Sequence, residues 1–257
     1  MKLHKIGLIT GLSPKASFVY GQKINQLVNR RLGGLTSAPM VINSIDLATI
    51  SAAIDVGNWD KILTLIGNAA DEAYLANAEA LVICSNTLHG VAPMLSARHH
   101  TMPIIHIGDT ITQAVKESQL RRVGLLGTEE VTMNQCVILD HLHYSGATIY
   151  RPDAKDMQDL DHVIVHNLYK SENMTASRAV IARTIQHLVE QVQIQGIVFG
   201  STELEGCFTK THQDTLRRQL KLPDFQFFKS MSLHVDAAAE FVCTGSIPQS
   251  ALKGRGE

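Results

Sequence analysis

Short apolar runs rich in β-branched residues alternate along this chain with longer amphipathic stretches. Lys5–Thr10 precedes a helical stretch over Ser17–Leu32, and Pro39–Ile45 precedes another over Trp59–Leu75. Ala80–Cys84 is followed by Gly90–Ala97, and Pro103–Ile107 by Ile111–Gln119. Strands that read as unbroken apolar runs are buried on both faces, which implies parallel sheets covered by helices. The pattern resumes with Arg122–Gly127, a helix near Met133–His143, Ala147–Tyr150 and a long helical region through Glu190. Gly196–Phe199, Phe225–Phe228 and an apolar-faced helix over Leu233–Cys243 complete it.

The two halves of this pattern repeat each other. Lys5–Thr10 matches Arg122–Gly127 at an offset of 117 residues, and the same offset lays Leu81–Asn86 on Val198–Glu203. Cys84 is thereby paired with Ser201, and Asn86 with Glu203. An offset of 120 aligns the segments beginning at Pro103 and Pro223. The repeat predicts an α/β fold of two pseudo-symmetric subdomains, each with a central, mainly parallel sheet flanked by helices. Residues 1–112 form the first, with a C-terminal helix over 230–245 packing back on it; residues 113–229 form the second, and 246–257 a tail. Ligands of open parallel sheets bind beyond the carboxyl ends of the strands, so the active site is expected in the interdomain cleft.

Composition narrows the chemistry. With 257 residues, 45% hydrophobic and 18% charged, the chain can bury sizeable cores. A formal net charge of −1, with no run of like charges, leaves no footprint for nucleic acid or an anionic membrane surface. The apolar part of the first ten residues is too short for a signal segment or a membrane span. The four cysteines, Cys84, Cys136, Cys207 and Cys243, form no CxxC pair. These features describe a reduced, cytoplasmic protein whose partner is a small molecule.

Cys84-Ser85-Asn86-Thr87 follows an apolar strand and leads into Leu88-His89-Gly90. A thiol at such a strand-to-helix turn meets backbone N–H groups and a helix N-terminus, which favour a thiolate. The repeat places a second small, polar turn, Ser201-Thr202-Glu203, after the matching strand. Cys207 corresponds to Gly90, six residues past the Cys84 turn, and reads as a packing residue, as do Cys136 and Cys243. His162 and His166, like His141 and His143, have no adjoining motif that completes a zinc set. His99-His100 reads as an exposed turn. His89 either orients its helix or tunes the thiol.

Ile83 to His89 resembles the Cys-Thr-Asn-Thr-x-His motif of the aspartate/glutamate racemase family, and Phe199 to Leu204 resembles its Gly-Cys-Thr-Glu motif. The segments Gly7–Ser13, Arg31–Ala38, Trp59–Lys61 and Leu126–Thr128 with Thr132-Met133 resemble its broad-specificity branch, over about residues 4 to 243. The resemblance implies a racemase that needs no PLP, nucleotide or metal, and that inverts an amino-acid α-carbon between two cysteines on opposite faces. Carried over, it makes Cys84 catalytic and sets Ser201 at the position of the second cysteine. Ser13, Ser85, Asn86, Thr87, Thr128, Thr132, Thr202 and Glu203 become the substrate shell, and a homodimer is expected.

The departures matter. Serine is far less acidic than cysteine and has no ready base beside it but Glu203, so two-base racemisation is not expected to operate unchanged. Asp159 stands where relatives carry a base for a substrate carboxylate, and Lys229-Ser230 stands where they have Asp-Thr; Lys15 and Lys229 are candidate compensating cations. The readings that follow are proton transfer through Cys84 on a small amino acid or related carboxylic acid, a one-thiol decarboxylase-like or altered isomerase, or a non-catalytic carboxylate-binding homologue.

Overall fold

With one exception, every apolar run marked as a strand belongs to an all-parallel sheet. The computed structural model describes residues 2–11, 14–132 and 137–247. The chain divides into two units, residues 2–107 with 234–247, and residues 108–233. The first holds β1 (Ile6–Thr10), β2 (Met40–Ser44) and β3 (Ala80–Ile83) in the order β2-β1-β3. The second holds β4 (Arg122–Leu126), β5 (Thr148–Tyr150), β6 (Gly196–Phe199) and β7 (Gln226–Lys229) in the order β5-β4-β6-β7. All residues of β1, β3 and β6 are buried, as unbroken apolar runs require.

The exception is Pro103–Ile107, which contributes only a single parallel bridge, Ile104 to Leu81. Proline has no N–H for a ladder, and α5 (Ile107–Ser118) begins before a strand can extend. With that bridge counted, both units run in the same strand order, second, first, third, fourth.

The repeat has a steric reason at one pair of glycines. A Cβ on Gly7 would lie 2.6 Å from Ala73 Cβ of α3 (Trp59–Leu75), and one on Gly124 only 2.4 Å from Ile197 Cδ1 and 3.0 Å from Ile194 Cδ1. Each central strand therefore lacks a side chain where its neighbours close over it.

The backbone also corrects the repeat at one point. Ile9 and Leu126 correspond at the 117-residue offset, and their carbonyls accept from Cys84 N at 2.9 Å and Gly200 N at 2.6 Å respectively. The ladder makes Gly200, not Ser201, the equivalent of Cys84. All of β6, with the turn that follows it, is shifted by one residue: Ile6 pairs with Ala80, but Val123 pairs with Gly196.

Helices cover both sheets. In the first unit these are α1 (Pro14–Leu32), α2 (Leu47–Asp55), α3, α4 (Ala92–Arg98) and the greater part of α12 (Ser230–Thr244). The apolar pattern does not announce α2; Asp46 starts it by accepting from Thr49 N. Ile9, Ile50, Ile62, Ile66, Ile83 and Leu95 form the core on the α3 side of the sheet. In α12, Val242 O accepts from His4 N at 2.9 Å and Glu240 pairs with Arg31 at 2.7 Å.

The second unit carries most of α5, then α6 (Glu129–Thr132), α7 (Val137–Leu142), α8 (Ala154–His162), α9 (Met174–Val192), α10 (Thr202–Cys207) and α11 (Lys210–Leu220). The long helical region expected through Glu190 is made of α8, a π-helical turn over Val163–Leu168, and α9. Ser171 and Asn173 sit between them with φ of 60° and 48°, a left-handed backbone that no helix can run through. Among the described helices, none is long and apolar enough to cross a membrane.

Candidate active site

The first group of candidate residues sits at the carboxyl end of β3. Cys84 N donates to Ile9 O and Ser85 N donates back to Ile83 O at 2.8 Å, so Cys84 is the middle of a three-residue turn. Asn86 is buried, Ser85 and Thr87 are half-buried, and Thr87–Val91 forms a 3-10 turn leading into α4. Leu88 N lies 3.5 Å from Ser85 Oγ, the limit of a hydrogen bond.

Burial decides the state of the thiol. Cys84 is 1% exposed, and the loss of water pushes its pKa well above the ordinary thiol range. The expectation of a thiolate favoured by a helix N-terminus is thus corrected. Desolvation prevails over a turn whose first helical segment is only five residues long. In this arrangement Cys84 is a thiol with a proton to give.

Three histidines stand beside that turn. His89 and His106 have ring centroids 4.6 Å apart, and His89 and His234 5.3 Å. His234 is fully buried, with Nε2 donating to Ile105 O at 2.7 Å and Nδ1 facing the Tyr20 hydroxyl at 3.1 Å. Its pKa is lowered by burial from 6.5 to about 4. Between those values the unfolded chain binds a proton that the folded chain refuses, so stability is expected to fall as pH drops from 6.5 to 4. The cost is about 3 kcal/mol once pH is below 4, and it is absent above 6.5. Urea titrations at pH 7.5 and 4.5 measure it, and His234→Gln, which cannot titrate, should lose most of that pH slope. An unchanged slope in the variant would refute the assignment.

The second group lies beyond β4, β5 and β6. Ser201 Oγ donates to Glu203 Oε2 at 2.7 Å, and Thr202 Oγ1 donates to the same oxygen at 2.9 Å. Ser201 and Thr202 are buried and Glu203 half-buried. Each hydroxyl has one proton and spends it on this carboxylate, so toward any ligand the pair presents lone pairs. Glu205 adds a second buried carboxylate, which takes Ser232 Oγ at 2.7 Å and the amide protons of Met231 and Ser232 at the start of α12. Anion-attracting donors at that helix end are thus already engaged by the protein's own acid.

Thr132, expected in the substrate shell, is fully buried, and its hydroxyl donates to Thr128 O at 3.0 Å and Glu129 O at 3.1 Å. It braces the turn that begins at Thr128, itself buried. Asp159 is held by Arg183 Nη2 at 2.6 Å, so its charge is countered within the second unit. Ser13, like Cys136, lies outside the described residues, as does the side chain of Lys15. Cys207 and Cys243 are buried as packing residues. His99 is half-buried against Asp71 at 2.7 Å, not part of an exposed turn. His141 pairs with buried Asp109 at 2.9 Å, a partner that inspection of neighbouring sequence does not find.

Two further residues escaped the sequence reading. Glu205 is one, and its signal is a second acid two positions after Glu203. Arg151 is the other; it is exposed directly after β5, with Nη1 donating to Thr132 O at 2.7 Å. A cation immediately past the end of a parallel strand was the available sign.

A profile of the Asp/Glu/Hydantoin racemase family matches residues 9–238. A protein from Yersinia pestis assigned to the Asp/Glu racemases is 30% identical, with a TM-score of 0.82 over 95% of this chain and 100% of its own. An aspartate racemase homologue from Pyrococcus horikoshii OT3 is 24% identical, with a TM-score of 0.75 over 95% of this chain and 100% of its own. Arylmalonate decarboxylase shares the fold at 13% identity and a TM-score of 0.51, over 94% of this chain and 93% of its own.

Proposed function

The chain belongs to the Asp/Glu/Hydantoin racemase family, and from that premise we propose a PLP-independent, cytoplasmic enzyme that moves the α-proton of a small amino acid or related carboxylic acid through Cys84. Cys84 works on one face of the α-carbon. Its raised pKa lowers the thiolate fraction but makes the thiolate, once formed, a stronger base, and it leaves the resting thiol ready to reprotonate a carbanion. Ser85, Asn86 and Thr87 bind the carboxylate that stabilises the enediolate-like intermediate. The reading includes a homodimer, for which exposed Phe18 on α1 and Ile42 on the edge strand β2 offer apolar surface.

One observation carries this reading, the donation of the Ser201 hydroxyl to Glu203 at 2.7 Å. Where the family motif has its second cysteine, Ser201, Thr202 and Glu203 offer acceptors, suited to an ammonium group. The expected chemistry is α-proton exchange with retention on one enantiomer.

NMR in D₂O across a panel of D- and L-amino acids tests this. The natural chain should exchange the α-proton of one enantiomer without inverting it, and Ser201→Cys should add inversion. Inversion by the natural chain would require another second base, and no exchange on any substrate would leave a carboxylate-binding homologue. A substituted malonate in the same panel separates decarboxylation, the other one-thiol reaction, from exchange.

A further inference from the structure

His89 is fully buried, and both ring nitrogens are committed to the main chain. Nδ1 lies 2.6 Å from Ser85 O, and Nε2 lies 3.2 Å from Ile107 N. A carbonyl can only accept and an amide N–H can only donate, so the two partners together fix the tautomer. Nδ1 carries the proton and donates to Ser85 O, and Nε2 is bare and accepts from Ile107. A second proton on the ring would set two N–H groups against each other at Ile107.

What this imidazole holds is the turn that carries the thiol. Cys84 N donates to Ile9 O, and the next amide, Ser85 N, donates back to Ile83 O, so the main chain is held on both sides of the thiol. On its C-terminal side the Ser85 carbonyl is held by His89, which fixes the plane of the Ser85–Asn86 peptide because that unit is rigid. The far end of the ring is anchored at the first residue of α5. His234 grips the same connecting segment two residues earlier, at Ile105 O, and is itself met by Tyr20.

We propose that His89 is a positioning residue for Cys84, an imidazole held in one tautomer that clamps the thiol-bearing turn to the Ile105–Ile107 segment and takes no part in proton transfer itself. The proposal rests on Cys84 being the reacting thiol. It predicts that breaking the clamp frees the turn locally and costs turnover more than affinity. An asparagine at 89 retains a donor near the Nδ1 position and a leucine does not, so the two separate loss of the bond from loss of the ring.

The test compares the natural chain with His89→Leu and His89→Asn by two independent readouts. Alkylation by iodoacetamide, mapped by mass spectrometry, should be at least 10-fold faster at Cys84 in His89→Leu than in the natural chain, with Cys207 and Cys243 unchanged as internal probes of global opening. His89→Asn should restore most of the protection. In exchange assays kcat should fall 10- to 100-fold in His89→Leu with KM within about 3-fold, and recover in part in His89→Asn. Equal acceleration at all three cysteines, no acceleration at Cys84, or an imidazole ¹⁵N spectrum showing Nε2–H or a doubly protonated ring at pH 6 to 8 would each overturn the assignment. The alkylation and spectral results stand whether or not exchange is found, so failure of the clamp and failure of the Cys84 reaction are told apart.

Discussion

Cys84→Ala is expected to reduce α-proton exchange by about 10²- to 10⁴-fold, the range for removal of a positioned acid or base. The reason is the scarcity of proton donors at the two turns. Ser201 and Thr202 spend their protons on Glu203, and His89 is locked by main-chain partners into one neutral tautomer. In the Cys84 turn itself, Ser85 and Thr87 carry alcohol protons, far less readily transferred than a thiol's, and the Cys84 contact to Val82 O is long, at 4.0 Å. The fold should survive, because alanine removes one buried sulfur and leaves the backbone turn in place; a cost of about 1 kcal/mol is expected. Cys207→Ala, in the second core, serves as a control that removes an equally buried thiol far along the chain. Exchange rates per folded enzyme decide the matter. Retention of more than a tenth of the natural rate in Cys84→Ala would sink the assignment of Cys84.

Gly11→Ala is expected to destabilise the protein by at least 3 kcal/mol, roughly, reversing the usual sign of a glycine-to-alanine change in a chain of ordinary geometry. Gly11 follows β1 with φ of +88°, and a Cβ there would lie 1.9 Å from Ile45 O and 2.7 Å from Ile45 N. Both obstacles are main chain, so no rotamer change relieves them. Ile45 N is itself bonded to Thr10 O at 3.0 Å, which ties the ends of β1 and β2 together and resists displacement. Gly206→Ala is the matched comparison, since that exposed glycine lies in α10 with no atom within 4 Å of its missing Cβ. It should stabilise by up to about 1 kcal/mol. Thermal melts of the two variants should therefore move in opposite directions, by about 2–4 °C per kcal/mol for a chain of this size. A Gly11→Ala melt within experimental error of the natural chain would show that the loop gives way freely.

The strands were legible because burial on both faces leaves an unbroken apolar run, and β1, β3, β4 and β6 stand where such runs lie. The repeat was legible for a related reason. Gly7 and Gly124 both lie where neighbouring side chains close over a central strand, and that shared position survives in sequence. Register between strands leaves no such trace. Cys84 and Ser201 align as letters, and the pairing of β3 with β1 and of β6 with β4 reveals the one-residue slip. The protonation of Cys84 depends on what surrounds the sulfur, which sequence does not show, whereas its place after a strand is visible. The roles of Thr132 and Asp159 went unseen for the same reason. Their partners, Thr128 O and Arg183, are fixed by helix geometry and by a contact 24 residues away.

The division of the chain has a consequence for the order in which the protein is made. The first unit opens the chain, yet it is finished by residues 234–247. His4 N waits for Val242 O, Tyr20 for His234, and Arg31 for Glu240. Among the described residues the second unit is one stretch, residues 108–233. During synthesis the later-made unit can therefore be completed before the earlier one. The turn bearing Cys84 acquires its full support only when α12 leaves the ribosome, so an unfinished chain carries its thiol on an unfinished scaffold.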